Sequence, residues 1–224
     1  MRVVLRIGGS VVASPINAEL MNKYASLLVA LKDRGHEVAA VVGGGGLARD
    51  FISAAKGLGL PESEQDEMAI SVSRLFAQLL LKKLGNTGCR EVPCTIEGAF
   101  ECFQAGKIVV MGGLTPGMTT DTVAALVAER LKANLIVKGT DQEGVYDKDP
   151  RKFSDAVKLD YISLSELSAF FSEGKHKAGI HQIIDPEAIK ILKCIQVKLV
   201  VVNGFRPENV LAAVNGNRIG TVVQ

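Results

Sequence analysis

The sequence has little that suits a membrane-spanning, secreted or nucleic-acid-binding protein. It contains no run of about 18 apolar residues, the length a helix needs to cross a bilayer. Its net charge of +2 is too small to indicate binding to nucleic acid or to an anionic membrane surface. The first apolar run contains an arginine and has no small-residue cleavage site, which disfavours a signal peptide. We therefore expect a cytoplasmic protein that binds neither nucleic acid nor membrane.

The cysteines also lack a functional pattern. The chain has four, and none of them forms a Cys-x-x-Cys pair. Such spacing is typical of zinc and redox sites, so we predict neither and expect reduced, inert thiols. No metal ligand set is predicted from side chains elsewhere in the sequence.

What the sequence does contain is an alternation of apolar strands and amphipathic helices in 224 residues. Alternation of this kind favours a mostly parallel sheet covered by helices on both faces, in one domain over residues 1–224. Predicted strands cover 3–7, 38–42, 90–95, 108–111, 135–137, 197–202 and 221–223, and predicted helices cover 16–34, 47–55, 62–84, 97–104, 121–131, 163–171, 185–192 and 207–214.

A run of four glycines, residues 43–46, separates a buried strand from a helix. Glycine lets the backbone approach a ligand closely, and a helix start favours an anion. Arg49 follows within about the first turn and can add a forked donor to a phosphate. The pattern Gly43-x-Gly45-x-x-Ala48 is a weak dinucleotide-binding signal, and the Gly-Lys-Ser/Thr ending of a P-loop is missing. The alternative is a turn that only packs a helix onto the sheet.

Two further strands also end in glycines, at Gly8-Gly9-Ser10 and at Gly112-Gly113. In an open parallel sheet, ligands bind beyond the carboxyl ends of the strands. We therefore expect the three glycine turns to meet at one edge and to hold one phosphate-rich set of ligands.

Two polar segments offer further contacts, each with a simpler alternative. In residues 112–121, Thr120 and Asp121 could contact a nucleotide or could only cap the following helix. In residues 140–150, Tyr146 could pack against a base, although a solvated hairpin is the favoured interpretation of the segment taken alone. Lys175 and His176 could face a nucleoside triphosphate, although a solvated charged face is the simpler interpretation.

Taken in order, these motifs resemble those of the amino acid kinase family, and within it those of the short archaeal uridylate kinases. The resemblance rests on five segments that together span the chain: Gly8-Gly9-Ser10; Gly43-Gly44-Gly45 with Arg49; Gly112-Gly113 through Pro116-Gly117 to Thr119-Thr120-Asp121; Thr140-Asp141 with Gly144-Val145-Tyr146 and Asp149-Pro150; and Asp185-Pro186. It implies a three-layer αβα sandwich, Mg²⁺-assisted transfer of the γ-phosphoryl group of ATP to UMP, and a homo-oligomer, specifically a hexamer. A lobe of about residues 1–133 would bind UMP, and a lobe of about residues 134–224 would bind ATP.

The resemblance also implies a role for individual positions. The residues implied to bind UMP are Gly44, Asp66, Leu114, Thr115, Pro116, Gly117, Met118, Thr119 and Thr120. Those implied to bind ATP and the transferring phosphoryl group are Gly8, Gly9, Ser10, Gly45, Arg49, Thr140, Asp141, Tyr146 and Asp149. The catalytic residues would be Arg6, Arg49, Asp121 and Asp185, with both aspartates organising the centre rather than acting as bases. Many relatives carry lysine where this chain has Arg6.

Two alternatives follow from the same resemblance. One is a family enzyme with another acceptor, namely N-acetylglutamate, carbamate or isopentenyl phosphate. The other is a nucleotide-binding sensor or storage protein on the same fold, for which the Arg6 departure is the best support.

Overall fold

The protein is built on a seven-stranded, mostly parallel sheet. A computed structural model describes residues 1–172 and 183–224, with no side chains described for 170–172. Lys175 and His176 therefore lie outside the described residues. The strand order is β3-β2-β1-β4-β8-β9-β7, and only the β8–β9 pair is antiparallel. Its strands are β1 Arg2–Ile7, β2 Glu37–Val42, β3 Val109–Met111, β4 Leu135–Thr140, β7 Tyr161–Ile162, β8 Lys198–Asn203 and β9 Thr221–Val223.

Helices cover the sheet in two layers. In the described part of the chain they are α1 Gly9–Val12, α2 Ala18–Asp33, α3 Gly45–Gly57, α4 Glu62–Leu84, α5 Ile96–Gln104, α6 Thr120–Leu131, α7 Leu164–Ser172, α8 Pro186–Ile195 and α9 Pro207–Val214. Helices α5, α6 and α8 pack together over one face, and α2, α4 and α9 pack together over the other. The predicted αβα sandwich is thereby confirmed.

The core lies in the central strands, whose sequences have almost no polar residues. Val3, Val4, Leu5 and Ile7 of β1 are each 1% exposed, and residues 38–42 of β2 are equally inaccessible. A strand buried on both faces reads as a continuous apolar run, which is why these two were predictable. Arg6 is a charged residue within this apolar run, as Arg2 is at the start of β1, and its position matters for the site below.

Two helix starts near the expected site residues carry side-chain caps. The cap of α6 is Thr119, whereas Thr120 and Asp121, offered above as caps, are the first two residues of the helix. The Thr119 hydroxyl accepts hydrogen bonds from the amides of Asp121 and Thr122 at the start of α6. The Asp185 carboxylate accepts from the first free amides of α8, and Pro186 occupies the first helical position. Capping satisfies backbone donors that a helix leaves unpaired.

Three predictions about the middle of the chain are wrong. Residues 90–95 form no strand, because Pro93 supplies no backbone donor and the segment lies on the surface. The hairpin predicted within 140–150 pairs β5 Val145–Tyr146 with β6 Lys158–Leu159 instead, so its loop is longer. Cys89 and Cys102 form a disulfide, contrary to the expected reduced thiols.

The disulfide arises from tertiary packing that spacing does not reveal. Gly88 forms a bridge to Ile108 just before β3, which places Cys89 beside α5, where Cys102 lies. Their Cα atoms are 5.9 Å apart, within the range a disulfide spans. Cys94 and Cys194 are free and exposed. No helix in the described ranges has both the length and the apolar character needed to span a membrane.

Candidate active site

The first two glycine turns touch each other at the carboxyl edge of β1 and β2. A Cβ atom added to Gly9 would lie 2.1 Å from the Gly45 nitrogen, and one added to Gly45 would lie 2.2 Å from the Gly9 oxygen. Gly45 also has φ +60°, a conformation that side chains rarely adopt. Backbone contact this close is possible only between glycines, so the predicted convergence of these two turns is confirmed.

These turns open into a cavity of about 710 Å³. It brings together most of the residues expected to surround ATP and the transferring phosphoryl group. From the predicted set, its lining contains Arg6, Gly9, Ser10, Gly44, Gly45, Arg49, Thr119, Thr120, Asp121, Thr140, Asp141, Tyr146 and Asp149. Gly8 is not part of this lining: its amide donates to the Gly139 oxygen at 2.9 Å, so it joins β1 to β4 instead.

The third glycine turn packs against helix α4 and contributes to a smaller cavity of about 180 Å³. The Gly113 amide donates to Ser73 Oγ at 2.7 Å. The Arg74 guanidinium donates to the carbonyls of Gly113 and Leu114, each at 2.9 Å. These side chains hold the start of the loop in place. Neither Ser73 nor Arg74 was predicted, because helical spacing alone does not say which polar residues face a distant loop.

Asp66 reaches the far part of the same loop. Its Oδ2 accepts a hydrogen bond from the Gly117 amide at 2.7 Å. Asp66 and Met118 line the smaller cavity together with Gly44, Thr119 and Thr120. Of the residues expected to bind UMP, Leu114, Thr115, Pro116 and Gly117 line neither cavity.

The two cavities are adjacent. Gly44, Thr119 and Thr120 line both of them. Two molecules placed in the two cavities would therefore approach each other at the glycine turn and at the start of α6. This shared rim is the position that a group passing between them would occupy.

A cluster of charged side chains lines the larger cavity next to this shared rim. Arg6 Nη2 donates to Thr120 Oγ1 at 2.8 Å, and Arg6 Nε lies 2.8 Å from Asp121 Oδ1 without the alignment of a hydrogen bond. Lys138 Nζ donates to Asp121 Oδ2 at 2.6 Å and also to the Ile183 carbonyl. Lys138, which no pattern in the sequence singles out, is 5% exposed. Asp121 thus lies between two cations.

Burial and charge act in opposite directions on these groups. Burial raises the pKa of Asp121, but the nearby Arg6 and Lys138 outweigh it, so the pKa is lowered overall. Burial is the main cause that lowers the pKa of Lys138, to about 8; Asp121 opposes the shift and Arg6 adds to it. Asp121 is therefore ionised at neutral pH, as its predicted organising role requires.

Asp185 lies behind the cavities rather than in them. Its Oδ2 accepts from the Thr119 hydroxyl at 2.5 Å, and its Oδ1 accepts from the Thr122 hydroxyl at 2.8 Å. Oδ1 also caps α8 through the amides of Glu187 and Ala188. Asp185 is not among the described residues that line either cavity, which is consistent with an organising role.

The amino acid kinase family model matches residues 1–203. The chain belongs to the amino acid kinase family. A uridylate kinase from Methanocaldococcus jannaschii is 43% identical over 226 residues and is covered completely, as is this chain. A uridylate kinase from Methanobrevibacter smithii is 38% identical, with 100% of this chain and 99% of that protein covered.

Solved structures agree with this assignment. The uridylate kinase from Archaeoglobus fulgidus superposes with a TM-score of 0.89 at 37% identity, and all of both chains is covered. The UMP kinase from Bacillus anthracis gives a TM-score of 0.84 at 20% identity over 100% of this chain and 95% of that one, which is a likeness of fold. The expected family and fold are therefore confirmed.

Proposed function

We propose that this family member is a UMP kinase, which transfers the γ-phosphoryl group of ATP to UMP and releases UDP and ADP. The observation that carries the proposal is the shared rim of the two cavities at Gly44, Thr119 and Thr120. The full-length identity of 38–43% to uridylate kinases supports UMP as the acceptor.

In this proposal UMP occupies the smaller cavity, beside Asp66 and the loop that Arg74 holds. ATP occupies the larger cavity, with its base and ribose towards Thr140, Asp141 and Tyr146. The proposed lobe boundary near residue 133 places the base and ribose contacts in the second lobe, while the first lobe supplies the glycine turns and Arg49 to the same cavity.

Catalysis in such a site depends on alignment and on charge. A UMP phosphate oxygen is already an anion, so no general base is needed to activate it. The glycine amides, Arg49 and the Arg6–Asp121–Lys138 cluster hold the two phosphates in line and neutralise the charge that the transfer develops. Asp121 organises the two cations, and Asp185 fixes the start of α6.

Magnesium fits this site as a partner of the nucleotides. The described residues contain no group of three or more histidine, cysteine or acidic side chains that could hold a metal. Mg²⁺ binds through few protein ligands and keeps several waters when it bridges phosphates. When bound it supplies charge neutralisation across the phosphates, so we propose that it enters with ATP. The hexamer and the cytoplasmic location stay predictions.

An ADP-release assay tests the proposal directly. The chain is given ATP and Mg²⁺ with UMP, CMP, N-acetylglutamate, carbamate or isopentenyl phosphate as the acceptor. We expect turnover with UMP far above the others, and we expect EDTA to abolish it. Turnover only with another acceptor would identify a different kinase. Nucleotide binding without turnover on any acceptor would identify a non-catalytic binding protein.

A further inference from the structure

Lys138 is an unusual residue for the centre of a sheet. It belongs to β4, where residues 135–137 are apolar, and it is 5% exposed. Charged side chains are rarely buried to this extent unless they are paired. Its stem lies beside Ala124, Ala125 and Ile136, which with Lys138 line a small cavity of about 20 Å³. Lysine at such a position costs stability relative to an apolar residue, so a role for the charge is expected.

The strand register determines what the ammonium reaches. Arg6 of β1 and Lys138 of β4 are direct partners in a parallel pair, so their side chains project from the same face. Helix α6 covers that face and places Asp121 between them.

We propose that Lys138 is a positioning residue for phosphoryl transfer, an inference that rests on the proposed function. The Lys138 ammonium holds Asp121 and thereby leaves the charge of Arg6 available to the transferring phosphoryl group. With Lys138 protonated, the three groups carry two positive charges and one negative charge. With Lys138 neutral, the negative charge of Asp121 cancels that of Arg6. The protonated cluster therefore attracts an anion, whereas the neutral form does not.

The other charged groups that the described residues place around Lys138 do not remove this dependence. Arg6 on β1 contributes a guanidinium, which has no acceptor for the ammonium. Asp121 on α6 is ionised, and Asp185 before α8 adds a second negative influence that favours the ammonium. The Ile183 carbonyl accepts from Nζ and is uncharged. Lys138 is thus the group of this cluster that changes charge in mildly alkaline solution.

The first test compares pH profiles of the unaltered enzyme and a Lys138→Met variant. In the unaltered enzyme, kcat/KM for UMP should fall as the pH rises through about 8, the pKa of the free enzyme's Lys138. Lys138→Met should lower kcat by ~100-fold with both KM values changed by less than ~3-fold, and it should lose this alkaline limb. A Lys198→Met variant, at the opposite end of the neighbouring strand β8, is the matched control and should keep the normal profile.

A Lys138→Arg variant covers the case in which the methionine variant does not fold. Arginine stays charged between pH 7 and 9.5, so kcat/KM of the Lys138→Arg variant should not fall over that range. An alkaline limb that persists in Lys138→Met or in Lys138→Arg overturns the proposal, as does unchanged activity of Lys138→Met at pH 7. Absence of UMP turnover in the unaltered enzyme would overturn the proposed function instead, so the two failures are distinguishable.

Discussion

Replacing Arg49 by alanine should remove catalysis and leave the fold intact. Arg49 is exposed, lines the larger cavity, and has no side-chain hydrogen bond or ion pair to another described residue. Surface substitutions of this kind change the free energy of unfolding by less than about 0.5 kcal/mol, or about 1–2 °C in Tm for a chain of this size. A well-placed arginine contributes roughly 10³–10⁵ to the rate of phosphoryl transfer. We therefore expect kcat to fall by ~10³, equivalent to about 4 kcal/mol of transition-state stabilisation.

The assay pairs steady-state ADP release with a thermal melt of the same samples. Lys56→Ala is the matched control, because Lys56 is also exposed on α3 but lies in its last turn, away from the cavity. Arg49→Lys keeps the charge but not the forked donor, so its kcat should lie between that of Arg49→Ala and that of the unaltered enzyme. Equal activity of Arg49→Ala and the unaltered enzyme would remove Arg49 from the mechanism. A large loss of Tm would show that the residue is structural.

Three further substitutions test other parts of the site. Gly9→Ala should lower Tm by roughly 4–10 °C, because the added Cβ would collide with the facing glycine backbone. Gly57→Ala is the control and should not lower Tm, because a Cβ there meets nothing within 4 Å. Equal melting temperatures of the Gly9→Ala variant and the unaltered protein would contradict the close contact. Asp66→Ala should raise KM for UMP by ~10-fold and leave KM for ATP unchanged, because Asp66 accepts a hydrogen bond from the Gly117 amide in the loop beside the smaller cavity. A rise in KM for ATP alone would reverse the assignment of the two cavities. Tyr24→Phe should lower the free energy of unfolding measured in urea by about 1 kcal/mol, because the buried hydroxyl donates to a backbone carbonyl at 2.7 Å. An unchanged urea midpoint would mean that this hydrogen bond adds nothing to stability.

The parts of the site that the sequence predicts correctly are those set by local rules. An apolar strand, a glycine turn and a helix follow one another within a few residues at Gly43–Gly46, and the carboxyl-edge rule then brings separate turns together. Helix starts are equally local, which is why helices were predicted to begin near residues 121 and 185, close to the observed starts of α6 and α8. None of these inferences needs a contact between distant segments to be known.

What the sequence does not reveal depends on distant contacts. The apolar pattern of β4 stops at Val137, so Lys138 looks like the end of a strand, whereas β4 continues to Thr140. The register of β1 against β4 places Lys138 beside Arg6, and Asp121 meets both of them from α6, a separate element. The sequence does not reveal the disulfide of Cys89 for the same reason: α5 and the segment before β3 meet only in the folded chain.

The four hydrogen bonds accepted by Asp185 link the two halves of the molecule. One carboxylate fixes the first turn of α6, beside the acceptor loop, and the first turn of α8, in the other half of the chain. A ligand that displaces Thr119 must therefore also alter the cap of α8. Such coupling is reciprocal for binding free energies, so each nucleotide should alter the affinity for the other by the same factor. Removing the Asp185 oxygens would remove this route of coupling and leave the direct one, through the residues that line both cavities.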